Sequence, residues 1–331
     1  MNDAARPFLA GDSPPAVCGL EQTNQHNMMK MNNRRRMALA SAGLLSVAGF
    51  AFADDPTSGY SGLESMDAHK VEQKFQINPG FTYNAEADFD DSSMGDVSVW
   101  RLDIPARYTL TLEKGELALG GFYEYSEYDF SDLAGSGDQE FNTLAFDAVW
   151  KSMFNDKWGY FLYGGIGMSS STETCITDGF TGVGGLGGRY VVSPDLNFGL
   201  GVAVASQLED DAAVLPIIIA NWRINDQWNL RVLNGATISY DINAEKRIIL
   251  DLGAKYQRRQ YAMDENDTAA IDKAVNIEFG ATYNFSPTFG IRGFVGVAAA
   301  RNIEIREDDH KLDDEDVDSA AYFGVRALFT F

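Results

Sequence analysis

The residues best placed to do chemistry in this chain are charged side chains that recur at every second position. Arg101, Asp103 and Arg107 share one parity, as do Asp251, Lys255 and Arg259. Glu124, Asp147, Arg189, Arg223, Arg231, Glu278, Arg292 and Arg326 stand in the same phase of their own stretches. Confined in a narrow space, such groups would set a field that selects among small ions, without making or breaking bonds. Other chemistries are poorly supplied. Gly182-Val183-Gly184-Gly185-Leu186-Gly187 fits G-x-G-x-x-G, but a nucleotide site needs a helix after that run, and none follows. Beyond the N-terminal segment only His69 and His310 could act as imidazole bases, and no serine has an evident histidine partner. Cys18 and Cys175 are the only cysteines and form no metal-finger spacing. No catalytic, cofactor or metal site is therefore expected. With 48 Asp and Glu against 26 Lys and Arg, the chain lacks the basic surface that nucleic-acid binding requires.

The elements that carry these charges alternate with period two. In residues 98–112, Trp100, Leu102, Ile104, Ala106, Tyr108, Leu110 and Leu112 lie on one face, while the charges lie on the other. That is a strand of about 15 residues, far longer than the usual five or six of globular sheets. The same alternation recurs from Phe75 to Phe331, and no apolar run after residue 53 reaches the length of a spanning helix. Tight turns (Lys114-Gly115, Asn155-Asp156, Pro194-Asp195, Asn225-Asp226, Pro287-Thr288) alternate with longer acidic stretches at 86–96, 127–140, 209–211, 264–272 and 304–318. Trp150 and Trp158 flank one tight turn and Trp222 and Trp228 another, which reads as an aromatic girdle at one membrane interface. The pattern predicts an all-β fold, a single closed antiparallel transmembrane β-barrel over 72–331. It has about 14 strands if Asn234-Gly235 is a hairpin turn, and 12 as the alternative.

The N-terminal region reads as an address. Lys30 and Arg34–Arg36 precede the uncharged apolar run Met37–Phe52, which ends in Ala51-Phe52-Ala53. These are the three parts of a secretory signal over 29–53, with cleavage after Ala53. Residues 1–28 read as disordered or as a misassigned start, and 54–71 as a periplasmic segment.

The last strand resembles the C-terminal assembly signal of bacterial outer-membrane barrels, with alternating apolar residues ending in Phe329-Thr330-Phe331. The glycine usual five residues before the end of that signal is Arg326 here. The resemblance extends over 72–331 at the level of architecture and is nearest to outer-membrane barrel families without assigned activity. It implies outer-membrane localisation, contact with lipid and lipopolysaccharide, and reading by the barrel-assembly machinery. The charged face then looks into the lumen. Arg101, Arg107, Arg189, Lys255, Arg259, Arg292 and Arg326 would make that lumen basic, giving a narrow passive channel for small solutes. A ladder of internal salt bridges that merely fills the barrel accounts equally for those residues. The alternative function is a non-conducting structural or adhesion barrel presenting acidic extracellular loops, which could also hold diffuse divalent cations.

Overall fold

Long alternating segments joined by short polar turns can satisfy their backbone only against each other, so they form one antiparallel sheet. The computed structural model describes residues 72–331 other than 92–94, 132–138, 234, 244, 264–267 and 308–309. The segments expected at 1–28, 29–53 and 54–71, and His69 with them, lie outside the described residues. The first half of the sheet runs β1 (Glu72–Ile77), β2 (Gly80–Asp88), β3 (Asp96–Leu112), β4 (Gly115–Phe130), β5 (Gln139–Met153), β6 (Trp158–Ser171), β7 (Phe180–Ser193) and β8 (Leu196–Gln207). The second half runs β9 (Asp210–Arg223), β10 (Trp228–Val232), β11 (Gly235–Asp241), β12 (Ile248–Ala262), β13 (Thr268–Ser286), β14 (Phe289–Glu307), β15 (His310–Val317) and β16 (Ala320–Thr330).

Sixteen segments make fourteen barrel positions. β1 and β2 lie end to end along β3, separated at Asn78-Pro79, where proline has no N–H to give. β15 and β16 likewise lie end to end along β14. β16 pairs with β14 on one side (Phe289↔Phe329) and with β2 on the other (Phe323↔Tyr83), which closes the sheet on itself. The expected hairpin near Asn234 is present as β10–β11, with Val232 opposite Ala236. Gly235 there has φ of 153°, outside the range that side chains favour.

The outer surface confirms the phase read from the sequence. Leu102, Ile104, Leu119, Phe146, Leu162, Ile166, Leu186, Leu200, Leu252, Ile277, Val295 and Phe323 are all exposed large hydrophobics. Exposed apolar residues in a continuous belt are what a lipid-facing surface requires. Along β3 the outward positions from Trp100 to Tyr108 cover about 27 Å of strand, or about 20 Å of membrane depth at the usual tilt.

Beyond the belt the sheet continues where the sequence suggested loops. β13 already begins at Thr268, and β14 and β15 extend as a hairpin through much of 304–318. These outer ends carry no lipid-facing alternation because water covers them, so the period-two signal disappears although the hydrogen-bond ladder does not.

Candidate functional site

The inner wall divides into a charged side and an apolar side. On the charged side β3 and β4 face β12, β13, β14 and β16, and each arginine finds a carboxylate. Arg326 pairs with Asp103 at 2.7 Å near the short-turn rim. Arg292 donates to Asp251 Oδ2 at 2.5 Å and to Glu278 Oε1 at 2.6 Å. Deeper, Arg259 Nε and Nη2 donate to both oxygens of Glu124, at 2.9 and 3.1 Å. Toward the long-loop rim, Asp272 accepts from Arg101 at 3.2 Å and from Arg301 at 3.1 Å on each oxygen. On the opposite face of the same hairpin Glu304 takes Lys273 and Arg306. Arg107 of β3 meets Asp147 of β5 at 3.5 Å, across Gly120 of β4. Glycines make the room: Gly280 lies beneath the Arg292–Asp251 pair and Gly80 beneath Arg326 and Asp103, where a Cβ would crowd them.

The structure thus places all seven expected lumen cations on the inner wall and neutralises five of them. Arg101, Arg107, Arg259, Arg292 and Arg326 are ion-paired, while Arg189 and Lys255 have no ion pair among the described residues. Lys255 stands apart in a second way. It shares the inner wall with Glu278, Arg259, Arg292 and Arg326, yet its side chain is exposed. A solvent-accessible space therefore lies inside the barrel at its level. Half-buried Thr237, Ser239 and Gln257 share the inward phase of the strands around that space.

Asp272, Arg301, Lys273, Glu304 and Arg306 were missed by the sequence reading. Asp272 was findable, since it continues the parity of Glu278 and Asn276 back along β13. Arg301 was not, because a register shift between β13 and β14, with Ala300 at φ 47°, reverses the phase of β14 there.

On the apolar side, β4 to β9 turn Ala118, Ala145, Val149, Phe161, Tyr163, Val183, Ala203, Leu215 and Ile217 inward as one cluster. The glycine-rich run of β7 finds its role here. The tip of the Phe161 ring lies over Gly187 and Gly201 of β8, and a Cβ on Gly201 would come 2.8 Å from the ring. Inward glycines thus form the floor of a ring-sized recess and hold no nucleotide.

The long-loop end is capped. Phe141 and Tyr261 stack at 4.3 Å, Tyr128 meets Phe141 edge-on, and Phe89, Val97, Val99 and Val317 pack around them. The cap is tied to the charges below it, because Tyr128 donates to Asp272 at 2.9 Å and accepts from Arg101 at 3.0 Å. The upper end of β12 leans across the lumen to make it: Ala262 bridges Ser170 of β6, and Thr174 donates to the Met263 carbonyl at 2.7 Å. Outside the cap, partial burial raises the Asp314 carboxyl on β15. Hydrogen bonds from Lys311 and Asn302 outweigh that and hold it below its ordinary range.

At the opposite rim lie the tryptophans expected to form a girdle. Trp158 packs against Tyr190 and Trp228 against Tyr240 with tilted rings, centres 4.6 and 4.7 Å apart, and Trp150 donates to the Tyr160 hydroxyl at 3.2 Å. Trp222 is exposed on the same face. Phe329 stacks on Phe289 at 5.2 Å, and Phe331 on Phe75 with mutual backbone hydrogen bonds of 2.9 and 2.8 Å.

Residues 144–315 match a family model described as a domain of unknown function, DUF6268. No curated protein matches. Among solved structures, a mutant of the TodX monoaromatic hydrocarbon channel is similar at TM-score 0.46 and 11% identity, covering 79% of this chain and 91% of that one. A Pseudomonas aeruginosa FadL homologue gives 0.45 at 8% identity, with the same coverages of 79% and 91%. The NanC porin gives 0.35 at 12%, covering 77% and 98%.

Proposed function

The chain belongs to the DUF6268 family, and we propose that it is a narrow passive channel of the bacterial outer membrane for small solutes. The observation that carries this reading is Lys255, a charged side chain of the inner wall that is nevertheless solvent-exposed. An ionised group at membrane depth belongs in a hydrated space, and a hydrated space within a lipid-belted barrel is the core of a conduit. The paired charges around it form a polar wall of nearly balanced sign, so selectivity falls to Lys255 and Arg189 and favours anions weakly. Export through the 29–53 signal, cleavage after Ala53, and recognition of the Phe329–Phe331 end by the assembly machinery belong to the same reading. So does contact of the outer rim with lipopolysaccharide and diffuse divalent cations.

The aromatic cap favours one competitor, a closed barrel that serves by presenting its outer hairpin. Conductance of refolded 54–331 in a planar bilayer under a salt gradient decides between them. The channel reading expects discrete steps with mild anion preference, and a shift toward cations in Lys255→Glu. A folded, inserted barrel without steps would reject the channel and leave the presenting barrel.

A further inference from the structure

The barrel wall is incomplete on one side. β10 and β11 have five and seven residues, while the strands flanking them, β9 and β12, have fourteen and fifteen. β9 meets β10 only over Ala220–Arg223, and β12 meets β11 only over Ile249–Lys255. From Asp210 to Ile219, β9 is therefore paired on its β8 side alone. From Tyr256 to Tyr261, β12 is paired on its β13 side alone. Two strands are missing above the β10–β11 hairpin, so the gap is about 14 Å wide at its sill, three interstrand spacings. It closes toward the outer rim, where Leu208 N–H donates to Gln260 Oε1 at 2.9 Å and Arg306 pairs with Asp210 at 2.6 Å.

The gap opens at the level of the hydrocarbon. Val214 and Ile218 on its β9 edge point outward and are exposed, level with the lipid-facing Val204 and Leu200 of β8. Two unpaired strand edges in lipid would cost several kcal/mol for each orphaned backbone group unless they bordered water or a polar ligand. Inside the gap lie both halves of an amphiphile's requirement. Ile217 and Ile219 on β9 lead into the apolar wall, and exposed Lys255 stands at the sill opposite Gly235. The aromatic cap meanwhile obstructs the axial route from the outer rim.

We infer that the gap between β9 and β12 is a lateral portal through which a small amphiphile, an apolar body with one negative charge, exchanges between lumen and bilayer. The apolar body passes along the inner face of β9, and Lys255 receives the charged end. This rests on the channel reading for the solute's onward path, but the portal itself is testable without conduction.

The test uses single-cysteine variants of refolded 54–331 carrying Cys175→Ser. They are labelled with a small fluorophore and reconstituted in phosphatidylcholine vesicles with or without brominated acyl chains. Ile219→Cys and Gln257→Cys place the label inside the barrel at the two gap edges. Thr237→Cys places it inside behind intact wall, and Ile218→Cys outside in lipid. Quenching at Ile219 and Gln257 near that at Ile218, and at least twofold above that at Thr237, supports the portal. Quenching at Ile219 and Gln257 no greater than at Thr237 overturns it, whatever covers the gap. Heat-modifiable gel migration confirms that each variant is folded. Binding of dansyl-undecanoate should weaken about tenfold or more in Lys255→Glu, the loss of one charge-assisted contact. Unchanged binding would overturn the assignment of the charged end. Absence of conductance steps with lipid quenching retained would reject the channel and leave the portal standing.

Discussion

Removing Arg292 should cost the barrel more than any surface charge could, and the size of that loss reports how dry the lumen is at its level. Arg292 is the only cation within 4.0 Å of Asp251 and Glu278 among the described residues, at 2.5 and 2.6 Å. The side chains of Arg292 and Asp251 are 5% and 2% exposed, and the guanidinium also lies 5.0 Å from the Phe294 ring centre. Arg292→Met would leave two carboxylates close together with their shared donor gone. Breaking a buried pair from one side costs about 3–5 kcal/mol, whereas an exposed pair is worth about 1 kcal/mol or less. We expect the single variant to lose about 3–5 kcal/mol in urea unfolding of the refolded barrel. Asp251→Asn added to Arg292→Met should recover more than half, because the stranded charge is then removed. A loss below about 1 kcal/mol, with no recovery in the double variant, would refute the reasoning: the charges would then be solvated one by one, and the network would hold nothing together.

Two further outcomes follow from the other side of the lumen. Gly187→Ala should destabilise the barrel by about 1–3 kcal/mol through collision with the Phe161 ring and the Leu200 carbonyl, and Phe161→Ala in the same chain should relieve the ring's share of that increment. Additive losses in an unfolding double-mutant cycle would contradict the recess. Tyr261→Ala removes the central ring of the cap and should raise single-channel conductance or lengthen open times. Unchanged conductance in a folded variant would mean that the constriction lies elsewhere.

Much of this architecture was legible because the bilayer imposes a strict code. Each residue from Trp100 to Tyr108 had one of two solvents to face, so parity alone assigned the lumen side of Arg101, Arg107 and Arg292. The hairpin at β10–β11 was readable from one Asn-Gly pair. Partner identity was not, since Arg101 and Asp272 are 171 positions apart and meet only after the sheet closes. The apolar half of the lumen was hidden for a different reason. Where β9 reads Ala213-Val214-Leu215-Pro216-Ile217-Ile218-Ile219, both faces are apolar and period two carries no contrast. The outer ends of β13, β14 and β15 were read as loops because charge there looks the same whether or not the backbone is paired.

The acidity of the chain and the paired charges of its lumen have a joint consequence. Asp314, Glu315 and Asp316 of β15 stand beyond Arg301, whereas Lys255 lies seven residues below the end of β12, roughly 23 Å along the strand. That exceeds two Debye lengths of about 8 Å in physiological salt, so the rim's negative potential hardly reaches the space around Lys255. The molecule therefore holds two electrostatic regions that do not mix: one at the acidic rim, the other around Lys255. Substitutions at Asp314 or Asp316 should change the charge of the rim and leave the potential around Lys255 unaltered, and exchange at Lys255 should do the reverse.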